Sequence, residues 1–325
     1  RRPGASSEDM TTDQPFAAAP LRAHGLPDLL NVIPSLLGFH PTDSLVVVCI
    51  KGRRVVVTAR VDLTAVATPS AADACFASVW ERFPGSSCLA VAYSPDAVAA
   101  WGALEALAMA TPWDVTVDAV HVDGERWYCS DEDEGRPYDP SASALAAEAA
   151  YRGVRVLPDR DALAATLAPS LTQAEMADAL ESVIASRPEH TVATALALAS
   201  SVMRQPRVPT PQEAATLAVA AFSPAFVEAV VTGIDSATAE RAVSLWTSVV
   251  RATPEFAGAA ASVVLAMAAW VAGDGALLNV CLERAAPHVG DSQWFRFLDI
   301  AVRAALPPTQ WDAVRSELLR GCGAA

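Results

Sequence analysis

Residues 34–62, PSLLGFHPTDSLVVVCIKGRRVVVTARVD, constrain the fold more than any other stretch. Leu29, Leu30, Ile33, Leu36 and Leu37 recur at helical spacing, Pro27 suits the first helical position, and Gly38 supplies a left-handed stop. A His40-Pro41 turn follows. Ser44 to Ile50 is then apolar at almost every position, as a strand covered on both faces requires. Residues 55–62 alternate instead, with Val55, Val57, Ala59 and Val61 on one side and Thr58, Arg60 and Asp62 on the other. The two runs are joined across Lys51-Gly52-Arg53. Such an opening specifies a layered α/β unit and carries no reaction with it.

The same rhythm continues downstream. A helix over 70–83, a strand over 88–93, a helix over 95–110 and a strand over 113–122 follow, and Asp123-Gly124 is a two-residue hairpin signal returning the chain through 126–129. A helix near 141–151 and a short one after Asp159 complete the unit near Pro169. Beyond it no convincing strand appears and helix starts recur. Thr172-x-x-Glu175 and Thr210-Pro211-x-Glu213 read as capping boxes, Ser223-Pro224 and Thr253-Pro254 pair a cap with proline, and Asp291 and Thr309 cap later helices. Roughly eight helices with short loops imply antiparallel neighbours. At 325 residues the chain exceeds one ordinary core. The expected organisation is a loose arm over 1–26, an α/β domain of mixed sheet with hairpins and flanking helices over 27–169, and an all-α helical-hairpin domain over 170–325.

Composition removes several function classes. Lys and Arg number 23 against 37 Asp and Glu, a net charge of −14, which repels phosphate backbones, so no nucleic-acid partner is expected. Lys51 is the only lysine, which excludes a Walker loop, a Ser-x-x-Lys pair and a spare Schiff-base lysine. Hydrophobic residues reach 52% but include much alanine, so the mean hydropathy of +0.28 overstates membrane character. The longest uncharged run, 256–273, reads as a buried helix rather than a membrane span. No basic segment followed by an apolar core opens the chain, so no secretory signal is read; the chain opens on Arg1, which leaves room for an upstream segment. The six cysteines contain no Cys-x-x-Cys and fit a reducing cytoplasm, with Cys49 and Cys88 as small core residues inside strands.

The segments PSLLGFHPTDSLVVVCI, ARVDL, DGERWYC, GVRVLPDRDAL and AWVAGDGALLNVCLERA together resemble the actinobacterial domain of unknown function 4192 family, from about Leu29 to Trp311. The resemblance implies no activity, substrate or catalytic residue. Members often place several cysteines after the tryptophan hairpin, whereas this chain keeps Cys129 and continues Ser130-Asp131-Glu132-Asp133-Glu134. One thiolate does not make a four-ligand zinc site. AGDGALLNVCLERA is also similar to part of a tetratricopeptide hairpin, with Gly273 at the turn and Ala285 at a small-residue contact, which implies a scaffold.

Candidate chemistry is sparse. His40, Asp43 and Ser44 supply an imidazole, a carboxylate and a hydroxyl, the parts of a nucleophilic site, although all three are also ordinary turn and strand-start residues. Arg60 and Asp62 share a strand face, where they would bind a polar ligand or pair with each other, and Trp127 would cap a pocket or join the core. The acidic run 131–134 is a solvated loop before it is a cation site, and Gly273-x-Gly275 lacks the strand that a dinucleotide loop follows. No metal or cofactor is expected. The leading expectation is a non-catalytic cytoplasmic interaction or regulatory scaffold, binding a protein partner through 170–325. The alternative is an enzyme or small-ligand-binding protein with its pocket between the Gly38–Ser44 turn and the Arg60/Asp62 strand face, His40 acting as acid/base and Arg60 holding an anion. The ligand, the oligomeric state and the strand order stay open at this level.

Overall fold

The structure, a computed structural model, describes residues 23, 25–130, 134–186, 191–290 and 292–322. Most of the expected N-terminal arm, acidic positions 131–133 and the Asp291 cap lie outside them. Helix α1 (Leu26–Leu37) carries Pro27 in its first turn and stops at Gly38, whose φ of 78° is left-handed. Leu30, Ile33 and Leu37 face inward, whereas Leu36, expected in the same stripe, is 42% exposed at its margin. Strands β1 (Ser44–Lys51) and β2 (Arg54–Asp62) follow, then α2 (Pro69–Arg82), β3 (Ser87–Tyr93), α3 (Ala97–Ala110), β4 (Thr116–Val122), β5 (Arg126–Cys129) and β6 (Arg136–Pro137). Helices α4 (Ala144–Tyr151) and α5 (Arg160–Ala165) complete the first part.

The six strands form one mixed sheet in the order β2-β1-β3-β4-β5-β6. β3 and β4 are parallel, joined by the α3 crossover, and the other neighbouring pairs are antiparallel. β1 is buried on both sides, as its apolar run requires. Leu45, Val47 and Cys49 pack with Phe76 and Trp80 of α2 and Leu104 and Leu107 of α3, whereas Val46 and Val48 join Leu30 and Ile33 of α1 on the opposite face. The fourth strand starts at Thr116, not at Trp113, which is 97% exposed in the preceding turn. β6 has no sequence signature, being two residues long and containing Pro137.

The remainder is helical among the described residues: α6 (Gln173–Ala185), α7 (Val192–Arg204), α8 (Pro211–Ala220), α9 (Pro224–Gly233), α10 (Ala239–Arg251), α11 (Glu255–Ala272), α12 (Gly275–Ala285), α13 (Gln293–Arg303) and α14 (Trp311–Cys322). Both capping boxes form, with Thr172 and Thr210 each bonding the backbone N–H three residues on and receiving a glutamate in return. Ser223 precedes α9 without a side-chain cap. Thr253 does not cap α11: its buried hydroxyl donates back to the Val249 carbonyl at 2.9 Å, closing α10. Thr309 lies inside a 3₁₀ turn, Pro308–Gln310, and caps nothing. Helix α11 is long and apolar enough to cross a membrane by length and composition, and 72% of it is buried within the fold. Gly273 ends it at φ 83° and turns the chain into α12, where Ala285 is fully buried. Trp270, Trp294, Phe297 and Trp311 meet largely edge to face with centroids 5.5–6.2 Å apart, and the Trp311 indole donates to the Ile234 carbonyl at 2.8 Å.

One hydrophobic core runs from the α1-covered face of the sheet through Leu163 and Leu167 into Trp246, Val264 and Leu278 of the helical part. Polar ties also join the two parts, on the α1 side and from α2 on the other face. Arg160 pairs with Glu283, the Ser170 N–H donates to the Arg251 carbonyl at 2.7 Å, and Arg82 Nε donates to the Ala304 carbonyl at 2.8 Å.

Candidate functional site

The parallel β3–β4 pair ends in the turns Ser94-Pro95 and Asp123-Gly124, and β1 begins beside the end of β3 because the two are antiparallel. Loops leaving one end of a sheet that contains a parallel pair open a crevice there. A cleft of about 450 Å³ lies in this place, the right scale for a small molecule. His40 to Asp43 form one wall, Tyr93 to Pro95 and Val122 to Gly124 the floor, and Tyr138 to Ser141 the opposite wall.

The His40 wall is pinned by backbone. Phe39 makes a parallel bridge to Leu157, the His40 N–H donates to the Leu157 carbonyl at 3.0 Å, and the Leu157 N–H donates to the Gly38 carbonyl at 2.8 Å. Asp43 sits at φ 42°, the left-handed region, which aspartate tolerates better than most residues. Its carbonyl accepts the Leu63 N–H at 2.9 Å, and its carboxylate accepts the Ser94 hydroxyl at 2.9 Å. The first wall is thereby tied to the end of β3.

Ser44 leaves this group. It is fully buried as the first residue of β1; its hydroxyl donates to the Thr42 carbonyl and accepts Arg60 Nε at 2.8 Å. Arg60 Nη1 in turn pairs with Asp62 at 2.7 Å. Adjacent strand residues point to opposite faces, so His40 and Asp43 line the cleft while Ser44, Arg60 and Asp62 form a separate chain of bonds between β1 and β2. Trp127 is likewise outside the lining: it is 3% exposed in the core, with the Arg136 guanidinium 4.8 Å from its ring centre.

Residues that the sequence marked only as a turn, or did not mark at all, complete the cleft. The Asp123 carboxylate accepts the Glu125 and Arg126 N–H groups at 2.9 and 2.7 Å and the Tyr128 hydroxyl at 2.9 Å. Partial burial pushes its carboxyl up, but these donors and His121 outweigh burial and hold it below the ordinary range. Asp139 is held low chiefly by the Ser141 hydroxyl at 2.6 Å. His121, only 3% exposed, places Nε2 2.8 Å from the Ser94 carbonyl and stacks on Tyr128 at 5.5 Å, bracing the floor.

Tyr93 and Tyr138 tilt against each other at 6.3 Å, and neither buried hydroxyl has a hydrogen-bond partner outside the pair. Burial pushes the Tyr138 phenol up to about 12 and raises that of Tyr93 well above its usual value. Both are therefore protonated donors at neutral pH. The cleft combines two buried phenol hydroxyls with no partner outside their pair, three carboxylates on Asp43, Asp123 and Asp139, and one imidazole, with no lysine or arginine in its lining. Among the described residues no three acidic, histidine or cysteine side chains are grouped to hold a metal ion.

No curated protein and no solved structure matches this chain. A family model described as a domain of unknown function, DUF4192, matches residues 27–309, nearly the whole chain, and the chain belongs to that family.

Proposed function

We propose that the protein binds a small polar molecule bearing a cationic amine in the cleft between the His40–Asp43 turn and the Tyr138–Ser141 segment. The carrying observation is the pair of buried Tyr93 and Tyr138 hydroxyls, with no partner outside the pair, in a cleft whose lining holds three carboxylates and no lysine or arginine. A buried hydroxyl short of partners costs about 1–3 kcal/mol, which a ligand acceptor offsets once the half-buried Tyr138 side chain turns toward the cleft it lines. Asp43, Asp123 and Asp139 favour an ammonium and disfavour phosphate or carboxylate. The role is binding rather than nucleophilic catalysis, because the Ser44 hydroxyl is committed to Thr42 and Arg60. Arg60, paired with Asp62 outside the lining, has no part in it.

A thermal-shift screen of amines, amino acids, nucleosides and phosphorylated metabolites tests this reading. A ligand at 100 times its dissociation constant stabilises by about 2.7 kcal/mol. Amine-bearing compounds are expected to give shifts that Asp43→Asn and Tyr138→Phe abolish while both variants stay folded. Hits confined to phosphorylated compounds, or indifferent to both substitutions, would overturn it. A second reading, a protein partner on the helical part, is favoured by the exposed Ile184, Phe222 and Phe256, the first and last of which are next in the chain to Val183 and Ala257 of a small apolar cluster with Leu180 and Ala215. Pull-down with wild type against a variant carrying polar residues at those three positions separates it from the cleft.

A further inference from the structure

We propose that Cys49 and Cys88 are an oxidisable pair that closes into an intramolecular disulfide between β1 and β3 on exposure to a peroxide. The sheet register places the two residues directly opposite each other on antiparallel strands. Their sulfur atoms lie 2.8 Å apart, closer than two non-bonded sulfurs rest, and both thiols are free. Residues facing each other across an antiparallel pair have Cα atoms about 4.5 or 5.5 Å apart, and both values fall in the Cα window a disulfide spans. Both side chains are core residues, at 0% and 3% exposure. A small oxidant such as hydrogen peroxide therefore fits the site better than a bulky one.

Cys88 is the residue oxidised first. It stands second in β3, with the Ser86 hydroxyl 3.5 Å away, and contact with Cys49 lowers its pKa while the Cys49 thiol is raised. The Cys88 thiolate attacks one peroxide oxygen; the S–O bond forms, the O–O bond breaks, and the departing hydroxide takes up the thiol proton as water. The Cys49 sulfur then attacks Cys88 Sγ; the S–S bond forms, the S–O bond breaks, and the sulfenic hydroxyl leaves as water with the Cys49 proton. Two thiols and one peroxide give one disulfide and two waters. The bridge clamps one end of the β1–β3 pairing, whose other end, Ser44 opposite Tyr93, adjoins the cleft.

The test treats the reduced full chain with hydrogen peroxide, denatures it in an alkylating agent and maps the peptides by mass spectrometry. The expected product links the Cys49 and Cys88 peptides within one chain, lacks two hydrogens, reverts with dithiothreitol and melts several degrees above the reduced protein. Alkylation of both cysteines at doses that already oxidise Cys75 overturns the proposal, as does a bridge to any other cysteine or between chains. The wild-type map decides the matter without a variant. Cys49→Ala is the control, expected to leave Cys88 as a sulfenic or higher oxide with no linked peptide.

Discussion

Asp43 holds a left-handed φ of 42° while binding Ser94 through its side chain and Leu63 through its carbonyl. The two demands predict different costs for two substitutions. Asp43→Asn keeps the tolerance for that backbone and most of the hydrogen bonding, whereas Asp43→Ala loses both. Alanine should lower stability by about 1–3 kcal/mol in urea titration and asparagine by less than half of that; equal losses would mean that the backbone conformation is indifferent to the side chain. Tyr138 gives a prediction of opposite sign. Its hydroxyl is buried with no partner beyond Tyr93, so Tyr138→Phe should stabilise the free protein by up to about 1 kcal/mol even as it removes a ligand donor. The phenol is raised from 10.0 to about 12, so the folded state keeps a proton that the unfolded chain has lost. That contribution is complete below pH 10 and disappears as pH rises from 10 to about 12, with Tyr93 acting in the same sense. Alkaline unfolding followed by circular dichroism should be less steep in Tyr138→Phe than in wild type. At this scale the sequence made His40 and Asp43 visible because a turn gathers neighbours. It misplaced Ser44 among them, since one further step along the chain enters β1 and turns the side chain toward Arg60.

Elements bring the rest of the cleft together. Tyr93, Asp123 and Tyr138 are far apart in the chain, and only the β3-α3-β4 crossover with the β5 and β6 returns sets their loops side by side. Alternation and caps reveal individual elements, but no local pattern records which strand ends adjoin, so this half of the site was not legible. β2 was legible through the alternation of Val57, Ala59 and Val61, although a bulge opposite Cys49 and Ile50 takes the exposed Val55 off the face expected for it, and β6 was not legible, because a two-residue bridge ending in Pro137 has no period to read. The helical part shows the same division between local signals that hold and local signals that mislead. Thr210 and Glu213 bond each other's backbone at the start of α8, whereas Ser223 makes no side-chain cap for α9 although both precede a proline. Thr210→Ala should therefore cost about 1 kcal/mol and Ser223→Ala a few tenths at most, measured by thermal or urea unfolding. Glu213 adds an acid signature. Arg207 first, and then the Thr210 backbone, hold its carboxyl down to about 2 against 4.5. Its contribution is present above pH 4.5 and is lost as pH falls through about 2, so Glu213→Gln should flatten that part of the acid limb.

At the scale of the molecule the decisive feature is where the core continues. The α2/α3 side of the sheet has a cluster of its own, but the α1 side shares one cluster with the helical part, and the chain passes between them through Leu163 of α5 and through Leu167. Leu167 is 1% exposed and ties sheet-side to helix-side packing next to the Ser170–Arg251 bond. A shared core should make the two parts unfold together, because opening one strips apolar surface from the other. Hydrogen exchange measured by mass spectrometry in mild denaturant should then report the same opening free energy for peptides from β1 and β3 as for peptides from α10 and α11. Leu167→Ala should cost about 2–5 kcal/mol by leaving a cavity, and, because the cavity lies at the seam, the two sets of peptides should separate. If they already differ in wild type, the seam does not couple the two parts. If they stay together in Leu167→Ala despite the loss of stability, coupling rests instead on the polar ties, Arg160 with Glu283 and Arg82 with the Ala304 carbonyl. The distinction bears on the cleft, since the Leu157 segment that pins the His40 wall leads directly into α5. A seam that transmits strain would let events on the helical part alter ligand affinity, and one that does not would leave the cleft to act alone.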